Sequence, residues 1–393
     1  MELKPGYKQT EVGVIPEDWN VYPLSDHFNI FAGGDVPKHS FSEYRSAKHP
    51  YPIFSNSLRE AGLYGFTGEK RAKSDSLTIT GRGHLGHAEY RCEEFFPIVR
   101  LVTLEPSGEL DARFTALSIN QTVEFAIEST GVPQLTAPQV GKFLVAAPPV
   151  DEQRDIAKVV ADVDALLASL EGAIQKKKAI KQATMQELLT GKRRLPGFEG
   201  EWEEFSLGSV ASMNSGGTPP TGRDDYYGGG IPWVSISDMT SGGKFISQTE
   251  RTLSAAGLAN CSAKQFPAGT ILYAMYASLG ECSIATTEVT TSQAILGIRP
   301  GESLHNEFLY YYLSSIRDKV KLMGQQGTQS NLNKGIVQGF TLRLPDKAEQ
   351  IAIAEALGEI DQELDALSMK AQKIRDMKAG MMQQLLTGKI RLQ

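Results

Sequence analysis

Two loops of this 393-residue chain concentrate side chains suited to reading a polar partner. The run GQQGTQSNLNK at 324–334 gathers Gln and Asn, whose carboxamides bond adenine bidentately in the DNA major groove. The run GRGHLG at 81–86 sets Arg82 and His84 on a glycine-flexible turn that follows Thr80. YAMYASLGECSI ends at a comparable glycine, Gly280, and SGGTPP opens the second half. The candidate DNA contacts are therefore Thr80, Arg82 and His84, then Gly216, Thr218, Arg223, Tyr276, Ser278, Gln326, Thr328, Gln329 and Asn331. Arg82 and Gln329 are the foremost base readers. STGVPQLTAPQ at 129–139 is the less polar first-half counterpart of 324–334.

Catalytic and cofactor chemistry find no such support. GRGHLG fits G-x-G-x-x-G after the strand-like SLTIT, but HAEYRCEEFFP beyond it is no amphipathic helix, so no dinucleotide fold is indicated. LLTGK lacks the upstream glycine and the following Ser/Thr of a P-loop. His84, His87 and Cys92 have no second paired cluster to complete a metal site. No nucleophile–base–orienter set or paired-carboxylate motif is found. The expectation is a non-catalytic chain with no metal and no cofactor of its own.

The three cysteines show no paired spacing, no apolar run nears the roughly 20 residues of a membrane helix, and the N-terminus lacks a signal-peptide core. A cytoplasmic protein without a membrane partner is expected. Net charge is −6, made of −5 in residues 1–151, +3 in 152–195, −3 in 196–348 and −1 in 349–393. No segment is basic enough for a free-standing nucleic-acid binder, though a subunit whose partners supply phosphate affinity stays open.

What positions the loops is a repeat. Residues 152–195 reappear ungapped at 349–392, an offset of 349 − 152 = 197, with 19 of 44 positions identical, LLTGK-x-RL among them. Leu135, Val140, Phe143 and Pro148 match Leu332, Val337, Phe340 and Pro345 at the same offset. Near the start Trp19, Leu24 and Gly33-Gly34 match Trp202, Leu207 and Gly216-Gly217 at an offset of 202 − 19 = 183. A repeat of half the chain length is a duplicated architecture rather than a solenoid. LTGKRRL continues into PGFEGEWEEFSLG, whereas the second copy reads LTGKIRLQ to residue 393 and GVIPEDWNVYPL reads as its continuation. The pattern is circular, so the chain ends should meet.

Within each copy the apolar residues alternate in steps of three and four, the seam of a coiled coil. Ile156, Val160, Val163, Leu167, Leu170 and Ile174 form the first; Ile353, Leu357, Ile360, Leu364, Leu367, Ala371 and Ile374 form the second. Gly191 and Gly388 stand where a helix C-cap wants glycine. Each helix should run about 39 residues, about 58 Å. Two such helices are expected to pair antiparallel, and packing of each on its own domain is the alternative. Ile156, Val163, Leu167, Leu170, Leu188, Ile353, Ile360, Leu364, Leu367 and Leu385 are the candidates for pairing and partner docking.

The fold class is α+β, with two mixed, mostly β domains at opposite ends of an antiparallel two-helix coiled coil in pseudo-twofold, circular arrangement. The divisions are 1–151, first variable domain; 152–195, central helix; 196–348, second variable domain; 349–393, distal helix. Strands are expected in YPIFSNS, SLTIT, FFPIVRLVTL, IPWVSIS, TILYAMYA and SQAILGI, with helices around 111–119 and 306–323.

LLTGKRRLPGFEGEWEEFSLG, the PP-x-x-EQ and P-x-x-x-EQ helix starts, and SGGTPP followed by IPWVSISDM closely resemble the specificity subunits of type I restriction-modification systems. The resemblance covers essentially the whole chain in order. It implies no catalysis by the chain itself, but recognition of double-stranded DNA with two adenine-methyltransferase subunits using S-adenosylmethionine. Where restriction subunits are present, two of these using ATP and Mg join them. It also implies that each domain reads half of a bipartite target while the helix pair sets the spacing. A related methyltransferase–nuclease fusion system and a protein-only coiled-coil scaffold are the alternatives. The first half has no clear counterpart to TSQAIL at 291–296, so the two domains are expected to differ in subtype.

Overall fold

The computed structural model describes residues 5–123, 134–326 and 332–392. The chain forms two compact units, Met1–Glu171 with Lys370–Gln393, and Gly172–Met369. In the first, Phe28–Ala32, Leu101–Pro106, Ser76–Thr80 and Ala88–Arg91 make an antiparallel sheet in that order. Every residue of SLTIT is buried, which suits its β-branched composition. Helix Ala112–Thr122 packs on this sheet, started by the Asp111 carboxylate accepting from Phe114 N at 2.8 Å. A smaller sheet, Phe96–Pro97, Tyr51–Phe54, Leu63–Thr67 and Phe41–Ser42, lies beside it in the chain.

The second unit repeats the plan. Its main sheet runs Ala211–Ser215, Ile295–Pro300, Ile271–Ala274, Cys282–Ala285 and Phe245–Ile246. The registers are the same. Leu101 faces Thr80 in the first unit and Ile295 faces Ala274 in the second, an offset of 295 − 101 = 194 for both partners. Val102 faces Ala32 and Leu296 faces Ser215, which keeps the 183 offset of the leading strand. An α+β fold duplicated within the chain is thus observed.

Two local expectations need correction. FFPIVRLVTL is two strands: Phe96–Pro97 pairs in parallel with Tyr51–Phe54, Leu101–Pro106 joins the main sheet, and Arg100, at φ 72°, turns the chain between them. The stretch 306–323 is two helices, Asn306–Ser315 and Arg317–Gln326, broken at Ile316 with φ −94° and ψ 0°. The first buries Phe308, Leu309, Tyr311 and Leu313, while the polar second has Arg317 tied to Glu281. Those separate attachments turn the chain at Ile316.

The long helices run Val150–Leu188 and Lys347–Leu385, 39 residues each. In the first unit Ile156 and Ala157 share a core with Leu385 and Leu386. Lys378 reaches Asp164 at 2.5 Å and Arg375 reaches Glu171 at 2.6 Å. In the second unit Leu188 shares a core with Ile353, Ala354 and Leu357, and Lys181 reaches Asp361 at 2.5 Å. Numbers climb along one helix as they fall along the other, so in both units the pairing is antiparallel. Leu167, Leu170, Ile174 and Ala371 are buried, and Val163, Ile360, Leu364 and Leu367 are half-buried. Arg375–Glu171 is about half-exposed on both sides, the kind of rim pair that contributes about 0–1 kcal/mol, whereas Lys181–Asp361 is only about a quarter exposed.

Both helices end as expected at glycines in the left-handed region, Gly191 at φ 69° and Gly388 at φ 67°. The chain then returns an arginine. Arg194 donates bidentately to Glu349 at 2.5 and 2.6 Å, and Trp202 Nε1 adds a bond at 3.3 Å. In the first unit Arg391 donates to Glu152 at 2.7 and 2.5 Å and to Asp18 at 2.7 Å twice. Each arginine follows one long helix, and each glutamate lies in the first turn of the other. Trp202 and Trp19 lie under the two guanidinium groups, at 5.7 and 5.9 Å. The Arg391 bond holds the Asp18 carboxyl below the usual carboxylate range. Tyr7 also donates to Gly388 O at 3.1 Å, so the segments near the two chain ends do meet.

The glutamines beside those glutamates do a second job. Gln350 donates to Pro345 O and Ser303 O and accepts from His305 N, all within 3.0 Å. Gln153 makes the corresponding bonds to Pro148 O, Glu109 O and Asp111 N. Each carboxamide joins a long helix to the loop that leads into its unit's sheet-packing helix. Gln350→Met should strand three backbone groups and cost about 1–3 kcal/mol. Chemical denaturation of the variant reads this directly, and a midpoint equal to the parent's would refute the role.

Candidate nucleic-acid interface

In each unit one short segment forms the floor on which the polar loops stand. In the first it is Pro97–Leu101. Gly34 N donates to Pro97 O at 3.1 Å, Gly33 N to Leu101 O at 2.8 Å and Gly81 N to Arg100 O at 2.8 Å. Leu135 N then bonds Gly81 O at 2.8 Å, bringing in the chain after 134. In the second unit Gly217 N bonds Thr291 O, Gly216 N bonds Ile295 O, Met275 N bonds Ala294 O and Leu332 N bonds Met275 O, all within 3.1 Å. Pro97–Val102 is therefore the first-half counterpart of Thr291–Leu296, contrary to the sequence expectation. The floor works through backbone bonds, which leave its own side chains free to differ, so sequence similarity along it was free to vanish. Differences between the domains lie in side chains and inserted segments on a shared frame.

The turns over these floors also match. Gly86 N closes on Thr80 O at 2.8 Å and Gly280 N closes on Ala274 O at 3.1 Å. Gly83 and Ala277 hold the same left-handed position, at φ 77° and 58°. A residue other than glycine at 277 bears a steric cost there. In the first unit Asn56 grips the turn through its side chain, with Oδ1 accepting from Arg82 N at 3.3 Å and Nδ2 donating to Arg82 O.

The structure assigns the candidates unequal situations. Arg82 is half-buried and His84 exposed at the tip of their turn. Thr80 is buried, its hydroxyl donating to His84 O and accepting from His87 N at 3.0 Å. Gly216 is buried too, since a methyl there would strike the Thr291–Ser292 backbone. Thr218 accepts from Gln293 N at 3.4 Å, which draws that exposed glutamine towards the Gly-Gly turn. Tyr276 is exposed and Ser278 half-buried on the second turn. Arg223 is paired bidentately with Asp225 at 2.8 Å over the Tyr226 ring. Thr328, Gln329 and Asn331 fall outside the described residues, as does the side chain of Gln326; the chain re-enters at Leu332 on the second floor. Sequence reading missed Asn56, Arg71, Arg100 and Gln293, which carry no motif and gain meaning only from the frame.

Thr80→Ala should loosen the first turn and cost about 1 kcal/mol of stability from its lost hydrogen bonds. DNA affinity should fall alike for all sequences. A loss of discrimination at one base pair, with thermal stability intact, would instead make Thr80 a base contact.

The type I restriction modification DNA specificity domain matches this chain twice, over residues 16–182 and 199–375. The chain belongs to that family. The MjaX specificity subunit of Methanocaldococcus jannaschii is 24% identical over 424 residues, covering 98% of this chain and 97% of the relative. The MjaVIII specificity subunit of the same organism is 24% identical over 405 residues, covering 96% and 94%. The type I S subunit from M. genitalium has the same fold, with a TM-score of 0.64 at 15% identity and 98% of both chains covered. A chain from a study of type I complex assembly aligns with a TM-score of 0.58 at 18% identity over 96% and 99%. This chain is a DNA-recognition subunit of a type I restriction-modification system. Among the described residues no helix is long and apolar enough to cross a membrane, and no cluster of His, Cys, Asp and Glu suits a metal ion.

Proposed function

We propose that each unit reads one half of an asymmetric bipartite target, and that the long helices fix the unread spacer and dock two adenine-methyltransferase subunits. The supporting observation is one backbone frame made twice, with different side chains standing on it. Two readers of equal geometry and unequal chemistry suit two half-sites of different sequence. The chain contributes recognition and no catalysis. Its partners bring S-adenosylmethionine, with ATP and Mg where restriction subunits join. The modest surface charge fits this division of labour, because partners then supply much of the phosphate affinity.

Methylome sequencing of a host expressing the chain with its methyltransferase partner tests this. The expected result is a two-part, interrupted motif with unlike halves. A single uninterrupted palindrome would overturn it.

A further inference from the structure

We infer that the first unit reads guanine in its half-target through Arg71, Arg82 and Arg100. This rests on the two-reader function above and names the bases one reader takes.

The three arginines lie on segments tied to the first floor or beside it by backbone bonds. Arg100 supplies the carbonyl that accepts from Gly81 N, and Arg82 is the next residue of that turn. Arg71 lies against the Gly33–Gly34 turn, where a methyl on Gly34 would collide with its Nη1, and its guanidinium sits 5.7 Å over the Phe31 ring. Arg71 and Arg100 are exposed and Arg82 is half-buried. Among the described residues none of the three guanidinium groups has a carboxylate partner, whereas neighbouring cations do: Arg45 is paired with Glu93, and Lys70 with Glu94 at 2.7 Å. Three unneutralised forks on one backbone frame, in a unit of net negative sequence, are placed for an external acceptor. Asn56 holds Arg82 by its backbone, leaving the side chain uncommitted while the turn is fixed.

The equivalent positions of the second unit differ. Arg82 and Arg100 correspond to Tyr276 and Ala294 at the common offset of 194 (276 − 82; 294 − 100), fixed by matching backbone bonds. Arg71 precedes Ala72, which bridges to Phe95, as Gln265 precedes Phe266, which bridges to Val289. An arginine does approach the second turn, Arg317, but Glu281 neutralises it. At the positions equivalent to Arg71, Arg82 and Arg100 the second frame thus offers Gln265, Tyr276 and Ala294, while its own Arg251 stacks on the Tyr227 and Trp233 rings at 4.1 and 5.7 Å. A guanidinium fork matches the O6/N7 acceptor pair of guanine, while carboxamides match adenine. The same forks could serve phosphates, which is the outcome the test must separate.

The test uses the chain in complex with its methyltransferase partner. Its target is mapped first, then DNA binding is measured for R71A, R82A and R100A on targets substituted base by base, at several salt concentrations. The expected result is guanine at read positions of one half, with at least one variant losing about five- to 150-fold in discrimination there and none at the other half. A uniform loss on all sequences, with the salt slope reduced by about one, marks phosphate contacts and overturns the inference. So does a responding half that contains no guanine. Arg→Gln variants at the same positions, checked by thermal melting, replace any alanine variant that folds poorly. If the complex marks no bipartite site at all, the two-reader function fails. If it marks one whose responding half lacks guanine, only this inference fails.

Discussion

Arg194→Ala is expected to destabilise the second unit more than any other single surface-reaching substitution. The Glu349 side chain is fully buried, and Arg194 occupies both its oxygens. Without the guanidinium the carboxylate retains Trp202 Nε1 at 3.3 Å and little else from side chains. A buried charge stranded in this way costs about 3–5 kcal/mol, a large part of the roughly 5–15 kcal/mol that holds an ordinary domain together. Removing both partners should cost far less, because Arg194→Met with Glu349→Leu leaves no charge behind. Arg391→Ala in the first unit should be milder, since one of its two carboxylates, Asp18, is 54% exposed and can hydrate. Denaturant unfolding of the single and double variants decides it. If Arg194→Ala shifts the midpoint no more than a rim pair such as Arg375→Ala, the clasp is ornamental.

The parts of this molecule that were legible in its sequence are those that repeat. The helix seams showed because burial on one helical face imposes steps of three and four. The cap glycines showed because their left-handed backbone excludes most side chains. The glutamates and arginines of the clasps were visible as identities, yet their pairing was not. Arg194 bonds the glutamate of the other copy, and periodicity within one helix says nothing about which residue lies opposite. Pro97–Val102 was invisible for the converse reason. Its work is done by carbonyl groups, so Arg100, left-handed at φ 72°, and Ala294, which is not, both accept the matching backbone bond, from Gly81 N and Met275 N. Thr80 stood out as a donor beside a glycine-flexible turn and Gly216 as part of SGGTPP. What neither pattern revealed is the local geometry: the Thr80 hydroxyl closes its own turn, and Gly216 has no room for a Cβ. Arg71 carried no signal at all, because its place beside Gly34 comes from a sheet pairing between distant segments.

Lengthening both long helices should move the target itself. Insertions after Glu171 and after Met369 fall at the points where each helix passes from one compact unit to the other. Four added residues lengthen each helix by about 6 Å at 1.5 Å per residue. Against roughly 3.4 Å per base pair, that widens the unread spacer by about one to two base pairs. Four residues also shift the seam by slightly more than a turn, which locally unwinds the pair. Seven residues preserve the heptad and should widen the spacer by about three base pairs with less cost in stability. The bases read in each half should stay the same, because neither frame is touched. Methylation at the parental spacing should fall to background, since a mismatch of one base pair also rotates one half-site by about a tenth of a turn relative to the other. Methylome sequencing of the two insertion variants reads both results at once. An unchanged spacer in the seven-residue variant, with the protein folded and the complex intact, would show that something other than helix length sets the distance.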